Sequence, residues 1–318
     1  MATIQSVLGP ISTDQLGVTL THEHVLCASA GIQQVFPEYV NRPQVIEDGV
    51  AALATAKAEG LGAFVDLTPM DLGRDIRLLE EVSRRSGVHL IACTGIWRDI
   101  PRVFWGESPD TVARLFIREI EEGIEGTGIR AGIIKVANDQ EGVTPEGEII
   151  LRAAARAQKA TGVPISTHSW APGRVGEQQV RIFREEGVDL DRVCIGHSND
   201  TTDTDYLLGL LRQGVWVGLD RNPGGTMPGT PDWEGRTVTT KKLMDAGYTH
   251  RIMVSHDAPI TILIAPPEQR ALRKERNPDG ISFIFRRVIP RLKELGATEA
   301  DIHRLFVENP RRYFEGGE

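Results

Sequence analysis

Eight short apolar runs rich in β-branched residues are spaced along the chain, and each is followed by a longer stretch with helical spacing. The runs cover residues 18–24, 62–67, 89–94, 131–136, 163–168, 192–197, 215–220 and 251–257. Runs this short, bounded by turn residues, read as strands, and strands covered on both faces lose their polar alternation. Between them, 43–59, 72–86, 110–123, 146–161, 174–186, 203–213 and 238–245 have the periodicity of amphipathic helices, and 281–295 adds a helix after the last run. Gly60, Gly87, Gly162, Gly187, Gly214 and Gly247 fall just past helical stretches, where a left-handed cap favours glycine. Eight strand-helix repeats predict an α/β fold, a (β/α)8 TIM barrel with its active site at the C-terminal ends of the strands. An open doubly wound sheet is the competing arrangement, because counting elements does not establish closure. Two longer connections, 221–236 and 258–280, would roof the catalytic face.

A chain of 318 residues could hold two domains, but barrels commonly run this long, so a single domain over 1–318 is expected. With 40% hydrophobic and 25% charged residues, a sizeable core is available. A net charge of −8 argues against nucleic acid and anionic membranes, which are met by clustered Lys and Arg, and favours a small uncharged substrate. Cys27, Cys93 and Cys194 form no C-x-x-C pair, which argues against a disulfide framework or a thiolate zinc site. No signal-like or membrane-length apolar stretch occurs, and a cytoplasmic protein is expected.

Histidines concentrate where strands should end. His22 and His24 form H-E-H in the first strand, and period-two geometry puts both rings on one face while Glu23 points away. Alone, the pair reads equally well as core histidines hydrogen-bonded to each other. His168 ends the fifth strand, His197 the sixth and Asp257 the eighth, and each has a bland reading as a satisfied polar or turn residue. A closed barrel would bring all five around one mouth, and imidazole with carboxylate is a ligand set for Zn²⁺, Mn²⁺, Co²⁺ or Fe²⁺. Lys135 ends an apolar strand, where a snorkelling ammonium is the ordinary reading. Beside cations its amine would lose its proton, and a neutral amine can add CO2 to give a carbamate able to bridge two metals.

These residues sit in motifs that make the chain resemble the phosphotriesterase family (phosphotriesterase-like lactonases and organophosphate hydrolases) of the amidohydrolase superfamily. The motifs are GVTLTHEHV at 17–25, DLGRD at 71–75, EGTGIRAGIIKVA at 125–137, ATGVPISTH at 160–168, VCIGHSND at 193–200, VGLD at 217–220, VSHD at 254–257 and NPDGISFI at 277–284. The resemblance implies two divalent metals, zinc foremost, with cobalt, manganese or iron as alternatives. His22, His24 and Asp257 would hold the buried one and His168 and His197 the more exposed one, with carboxylated Lys135 and a hydroxide between them. It implies hydrolysis of a lactone, ester or phosphotriester, with Asp257 as the proton acceptor, Asp200 relaying protons outward, and a homodimer. Asp200 reads nearly as well as a helix N-cap.

The substrate signals divide. Trp97 resembles the aromatic wall of organophosphate hydrolases, whereas Arg221 after VGLD resembles the lactonases. The apolar stretch 258–264, with Ile260, would hold an acyl chain or pack on the barrel, and Arg98 places a charge beside Trp97. The balance favours a lactonase or carboxylesterase with promiscuous phosphotriesterase activity. Phosphotriesterase as the main activity is the runner-up, and a metal-binding barrel without turnover comes last.

Overall fold

The computed structural model describes residues 2–225 and 227–316. An antiparallel hairpin of β1 (Thr3–Ser6) and β2 (Gly9–Ser12) comes first. The strands β3 (Val18–Cys27), β4 (Leu61–Asp66), β5 (His89–Ile96), β6 (Ile133–Ala137), β7 (Ile165–His168), β8 (Val193–Ile195), β9 (Trp216–Leu219) and β10 (Ile252–Val254) then pair in parallel, each with its sequence neighbour. Closure is made by β11 (Pro259–Ile262), which pairs in parallel with β3, Pro259 opposite His24. Thus β10 and β11 are two halves of the eighth barrel strand. The first half bonds to β9, the chain breaks at residues 255–258, and the second half bonds to β3. At the break Asp257 N donates to His22 O at 3.0 Å. The sheet is a closed (β/α)8 barrel and the open alternative is excluded.

The helices are α1 (Ile32–Val35), α2 (Pro37–Val40), α3 (Arg42–Ala58), α4 (Ile76–Ser86), α5 (Pro109–Glu121), α6 (Pro145–Thr161), α7 (Val175–Glu185), α8 (Thr204–Leu211), α9 (Trp233–Leu243), α10 (Pro267–Arg276), α11 (Ile289–Glu294), α12 (Glu299–His303) and α13 (Asn309–Glu315). Six of them begin where a short polar side chain accepts an otherwise orphaned backbone N–H: Asp75 for α4, Ser108 for α5, Thr144 for α6, Asp203 for α8, Asp232 for α9 and Thr298 for α12. Each such cap contributes about 1 kcal/mol. At the other end, Gly87 (φ 68°) and Gly162 (φ 74°) close α4 and α6 in the left-handed region.

Strand parity divides the interior. Ala63 and Val65 of β4, Ile91 and Cys93 of β5, Ile133 of β6, Trp216 of β9 and Met253 of β10 fill the barrel together with Ile4, Tyr313 and Phe314, while Phe64, Leu90 and Ala92 face the helices. The hairpin plugs the N-terminal end, with Val7 N donating to Leu90 O. Following the same parity upward, Ile133 leads to Lys135, Trp216 to Asp220, and Met253 to Ser255 and Asp257. The apolar floor therefore gives way to polar side chains at the strands' C-terminal ends, the usual place for a barrel's chemistry.

Three expectations are corrected. The connection 258–280 is not an irregular roof, because it contains β11 and α10. The seventh helix begins at Trp233, not 238, since its inward face is the polar set Arg236, Thr237, Thr239 and Thr240 and offers no apolar stripe to detect. The hairpin and the final helices α12 and α13 have no counterpart in the sequence reading, because elements of four to seven residues are too short to display a period. No helix among the described residues is long and apolar enough to cross a membrane. All three cysteines are buried free thiols.

Candidate metal centre

The imidazoles at the barrel mouth are held from behind. Asp220 at the end of β9 accepts from His22 Nδ1 at 2.8 Å on one oxygen. Its other oxygen accepts from His197 Nδ1 at 2.9 Å and from the His197 backbone N–H at 2.7 Å. A carboxylate only accepts, so both rings carry their proton on Nδ1 and turn the Nε2 lone pair into the cavity. His24 Nδ1 is held by Thr68 Oγ1 at 2.8 Å.

The inward atoms converge on Asp257. Its Oδ1 lies 3.1 Å from His24 Nε2 and 3.6 Å from His22 Nε2, and its Oδ2 lies 3.8 Å from His197 Nε2. Lys135 Nζ is 2.8 Å from His22 Nε2, and His168 Nδ1 is 2.9 Å from His197 Nε2. His22, His24 and Asp257 offer ligand atoms all within 4.8 Å of one another, and so do His22, His197 and Asp220. In the second trio Asp220 orients rather than binds, because both its oxygens are already engaged by imidazole nitrogens. Asp257 and His197 both sit in the left-handed region, at φ 50° and 57°. For residues other than glycine this costs about 1–3 kcal/mol, which the surrounding hydrogen bonds must offset.

Electrostatics keep Lys135, His168, His22 and His197 ready to donate lone pairs, whereas at His24 burial is outweighed by Cys27 and the Asp257 hydrogen bond, which raise it well above the usual histidine range. Burial pushes Lys135 down to about 8, against the opposing pull of Asp257 and Asp220. Burial likewise takes His168 down to about 4, and His22 and His197 fall well below the usual histidine range, helped by Lys135 and Arg221 respectively. Burial alone would raise Asp257, but His197, the His24 hydrogen bond and Arg221 outweigh it and hold the carboxyl well below its ordinary range. The neutral rings of His22, His168 and His197 around a carboxylate, beside a lysine with a lowered proton affinity, fit divalent cations that accept nitrogen and oxygen ligands.

The surrounding residues are placed as follows. Arg221 does not point to solvent: its Nε donates to Asp257 Oδ2 at 3.0 Å and its Nη1 to Asp200 Oδ2 at 2.5 Å. Asp200 is fully buried between Arg221 and Arg236, whose Nη2 lies 2.9 Å from its other oxygen. It is not a helix cap, a role taken by Asp203. Trp97 Nε1 donates to His168 Nδ1 at 3.3 Å, and its backbone N–H is held by Asp71 at 2.9 Å. Burial raises the Asp71 carboxyl to about 6. Arg98 lies over the Trp97 ring and pairs with Asp139 at 2.5 Å, so its charge is already engaged. Asp139 in turn lies 3.3 Å from His168 Nε2, which makes no well-aligned hydrogen bond among the described residues. Ile260 packs on the core from β11, and strand parity sets it opposite to Pro259, the residue in register with His24. It therefore faces away from the cavity, and the acyl-binding expectation for it is withdrawn.

Sequence reasoning passed over Asp220, Thr68, Asp139 and Arg236. For Asp220 a signal existed, since it ends a strand as Asp257 does and shares parity with buried Trp216. The other three stand out only through their partners.

Comparison with known proteins places this site in a family context. The model of the phosphotriesterase family matches residues 2–314. The chain is 39% identical over 325 residues to a phosphotriesterase homology protein of Mycobacterium tuberculosis, covering 99% of this chain and 98% of the relative. It is 40% identical over 308 residues to an aryldialkylphosphatase of Saccharolobus solfataricus, covering 96% of each. It is also 27% identical over 353 residues to an N-acetyltaurine hydrolase of Rattus norvegicus, covering 98% of this chain and 97% of the relative.

Proposed function

The chain belongs to the phosphotriesterase family, and from that premise we propose that it is a single-domain, binuclear metal-dependent hydrolase whose main substrates are lactones or carboxylic esters, with phosphotriester hydrolysis as a secondary activity. One observation carries the hydrolase reading: inward nitrogens of His22, His24 and His197 face the Asp257 carboxylate, with Lys135 beside His22 and His168 beside His197. In this reading His22, His24 and Asp257 hold one metal and His168 and His197 the other, zinc foremost, with a CO2-derived carbamate on Lys135 between them. Bound divalent cations would polarise the carbonyl or phosphoryl group under attack and lower the pKa of bound water toward neutrality.

The chain's own groups do the rest. Asp257 turns Oδ1 toward His22 and His24, the side of the metal they would share, while Oδ2, oriented by one hydrogen bond from Arg221, keeps a lone pair to accept a proton. Between Asp257 and Asp200 stands a guanidinium that does not give up a proton, so Asp200 acts as the anchor of Arg221 rather than as the next stop in a relay. Trp97 forms a wall beside His168. The runner-up, phosphotriester hydrolysis as the main activity, draws on Trp97 and on the aryldialkylphosphatase relative. Val35, Phe36, Tyr39, Val103 and Trp105, more than half exposed on the connections after β3 and β5, support a homodimer.

Elemental analysis after loading with Zn²⁺, Mn²⁺ or Co²⁺ should find about two metals per chain, as a two-metal site requires. One or fewer would overturn the binuclear reading. A kcat/KM panel of γ- and δ-lactones, aryl esters, an N-acyl amine and paraoxon-like triesters on one preparation tests the substrate order, and a triester ranking first would favour the runner-up.

Arg221→His should lower the ratio of lactonase to phosphotriesterase kcat/KM about tenfold, on the order of 1–2 kcal/mol in relative barrier. A phosphotriester carries three ester arms and is crowded more than a flat lactone by a long cation, so shortening that cation favours the triester. An unchanged ratio, or one shifted toward lactones, would remove Arg221 as a selectivity determinant.

A further inference from the structure

Glu23 lies between His22 and His24, yet its side chain faces the other way and is fully buried. Its Oε1 accepts from Ser255 Oγ at 2.9 Å, from His256 N at 2.8 Å and from His256 Nδ1 at 2.6 Å. Its Oε2 accepts from Ala258 N at 3.3 Å. Every donor belongs to the break between β10 and β11, and the backbone N–H groups on both sides of Asp257 are among them. Asp257 is the residue at φ 50°. Because His256 Nε2 accepts from Ile284 N at 3.1 Å, the ring's proton is on Nδ1, directed at Glu23. Ser255 Oγ completes the link, accepting from His22 N at 3.1 Å. One carboxylate thus ties the H-E-H strand to the left-handed turn that swings Asp257 back toward His24 and His22.

We propose that Glu23 and His256 form a positioning pair that sets the place of the Asp257 carboxylate and thereby the grip on the metal shared by His22, His24 and Asp257. The inference rests on the binuclear reading above. Glu23 touches no substrate. It acts through Asp257, by satisfying the donors that a strained turn would otherwise leave unpaired in a buried place. Groups standing behind metal ligands in this manner typically change metal affinity or activity by about 10–100-fold when removed.

The test compares wild type with Glu23→Gln, His256→Leu and His256→Asn. Asparagine offers an N–H close to where His256 Nδ1 stands, so it keeps the bond to Glu23 and loses only the one to Ile284. Each protein is loaded with Zn²⁺ and dialysed against a chelator, and retained metal, kcat and KM for an aryl ester, and the Tm of the metal-free form are measured. The expected result is metal loss about 10–100-fold faster in Glu23→Gln and His256→Leu, with kcat falling and KM little changed, while His256→Asn stays near wild type. Wild-type metal retention and kcat in Glu23→Gln and His256→Leu would overturn the proposal. So would a fall in His256→Asn equal to that in His256→Leu and tracking the metal-free Tm, which marks general structural loss. If Glu23→Gln does not fold, the two His256 variants still decide. A wild-type protein that holds fewer than two metals would overturn the binuclear reading and this inference with it, an outcome distinct from intact metal binding in the variants.

Discussion

Lys135→Ala is expected to lower kcat/KM for an aryl ester by about three orders of magnitude, roughly 4 kcal/mol of barrier, and to leave the purified protein short of metal. The amine is buried among ligand atoms, 2.8 Å from His22 Nε2, and burial brings it down to about 8. Near and above that pH a large fraction is unprotonated, the form that adds CO2. Truncation to alanine would remove the proposed bridging anion together with the chain that carries it, and leave room for a short carboxylic acid. Acetate or propionate in the buffer should therefore restore part of both metal content and turnover, whereas chloride at the same ionic strength should not. Wild-type turnover and metal content in Lys135→Ala would remove the bridging role and leave the histidine ligands untouched.

Asp220→Asn is expected to reduce metal affinity and kcat/KM by about 10–100-fold, the range for groups that orient ligating histidines. The carboxylate serves His22 with one oxygen and both the ring and the backbone of His197 with the other. An asparagine has one acceptor oxygen and one amide nitrogen, so one of the two rings meets a donor where it needs an acceptor and turns or changes tautomer. The damage should reach both metals, because in the proposed assignment His22 and His197 belong to different ones. Metal titration of the folded variant, checked by an unaltered circular dichroism spectrum, measures this. Affinity equal to wild type at both sites would show that the carboxylate does not orient the rings.

Much of the architecture is legible without coordinates, and the reason is periodicity. Eight apolar runs alternating with helical stretches leave few topologies, and period two already puts His22 and His24 on one face with Glu23 on the other. Polar residues at the ends of apolar strands stand out for the same reason, as Lys135, His168, His197 and Asp257 do. Elements without a period were lost: the four-residue strands of the hairpin, the polar-faced start of α9, and β11, which looked like loop because Pro259 opens it.

The chain's pattern determined which residues face the barrel mouth, since side-chain parity along a strand is a local property of the backbone. Only the tertiary structure decided which of them meet and in what role. His22 finds Asp220 across 198 residues and Lys135 across 113, because closure of the barrel places β3, β6 and β9 around one opening. Whether Arg221 points outward or bridges Asp257 and Asp200, and whether Ile260 lines a cavity or packs on the outer core, turns on a break of four residues and on hydrogen bonds a few ångströms long. Such contacts leave no period in the sequence, because their energy depends on distance and angle in space rather than on spacing along the chain.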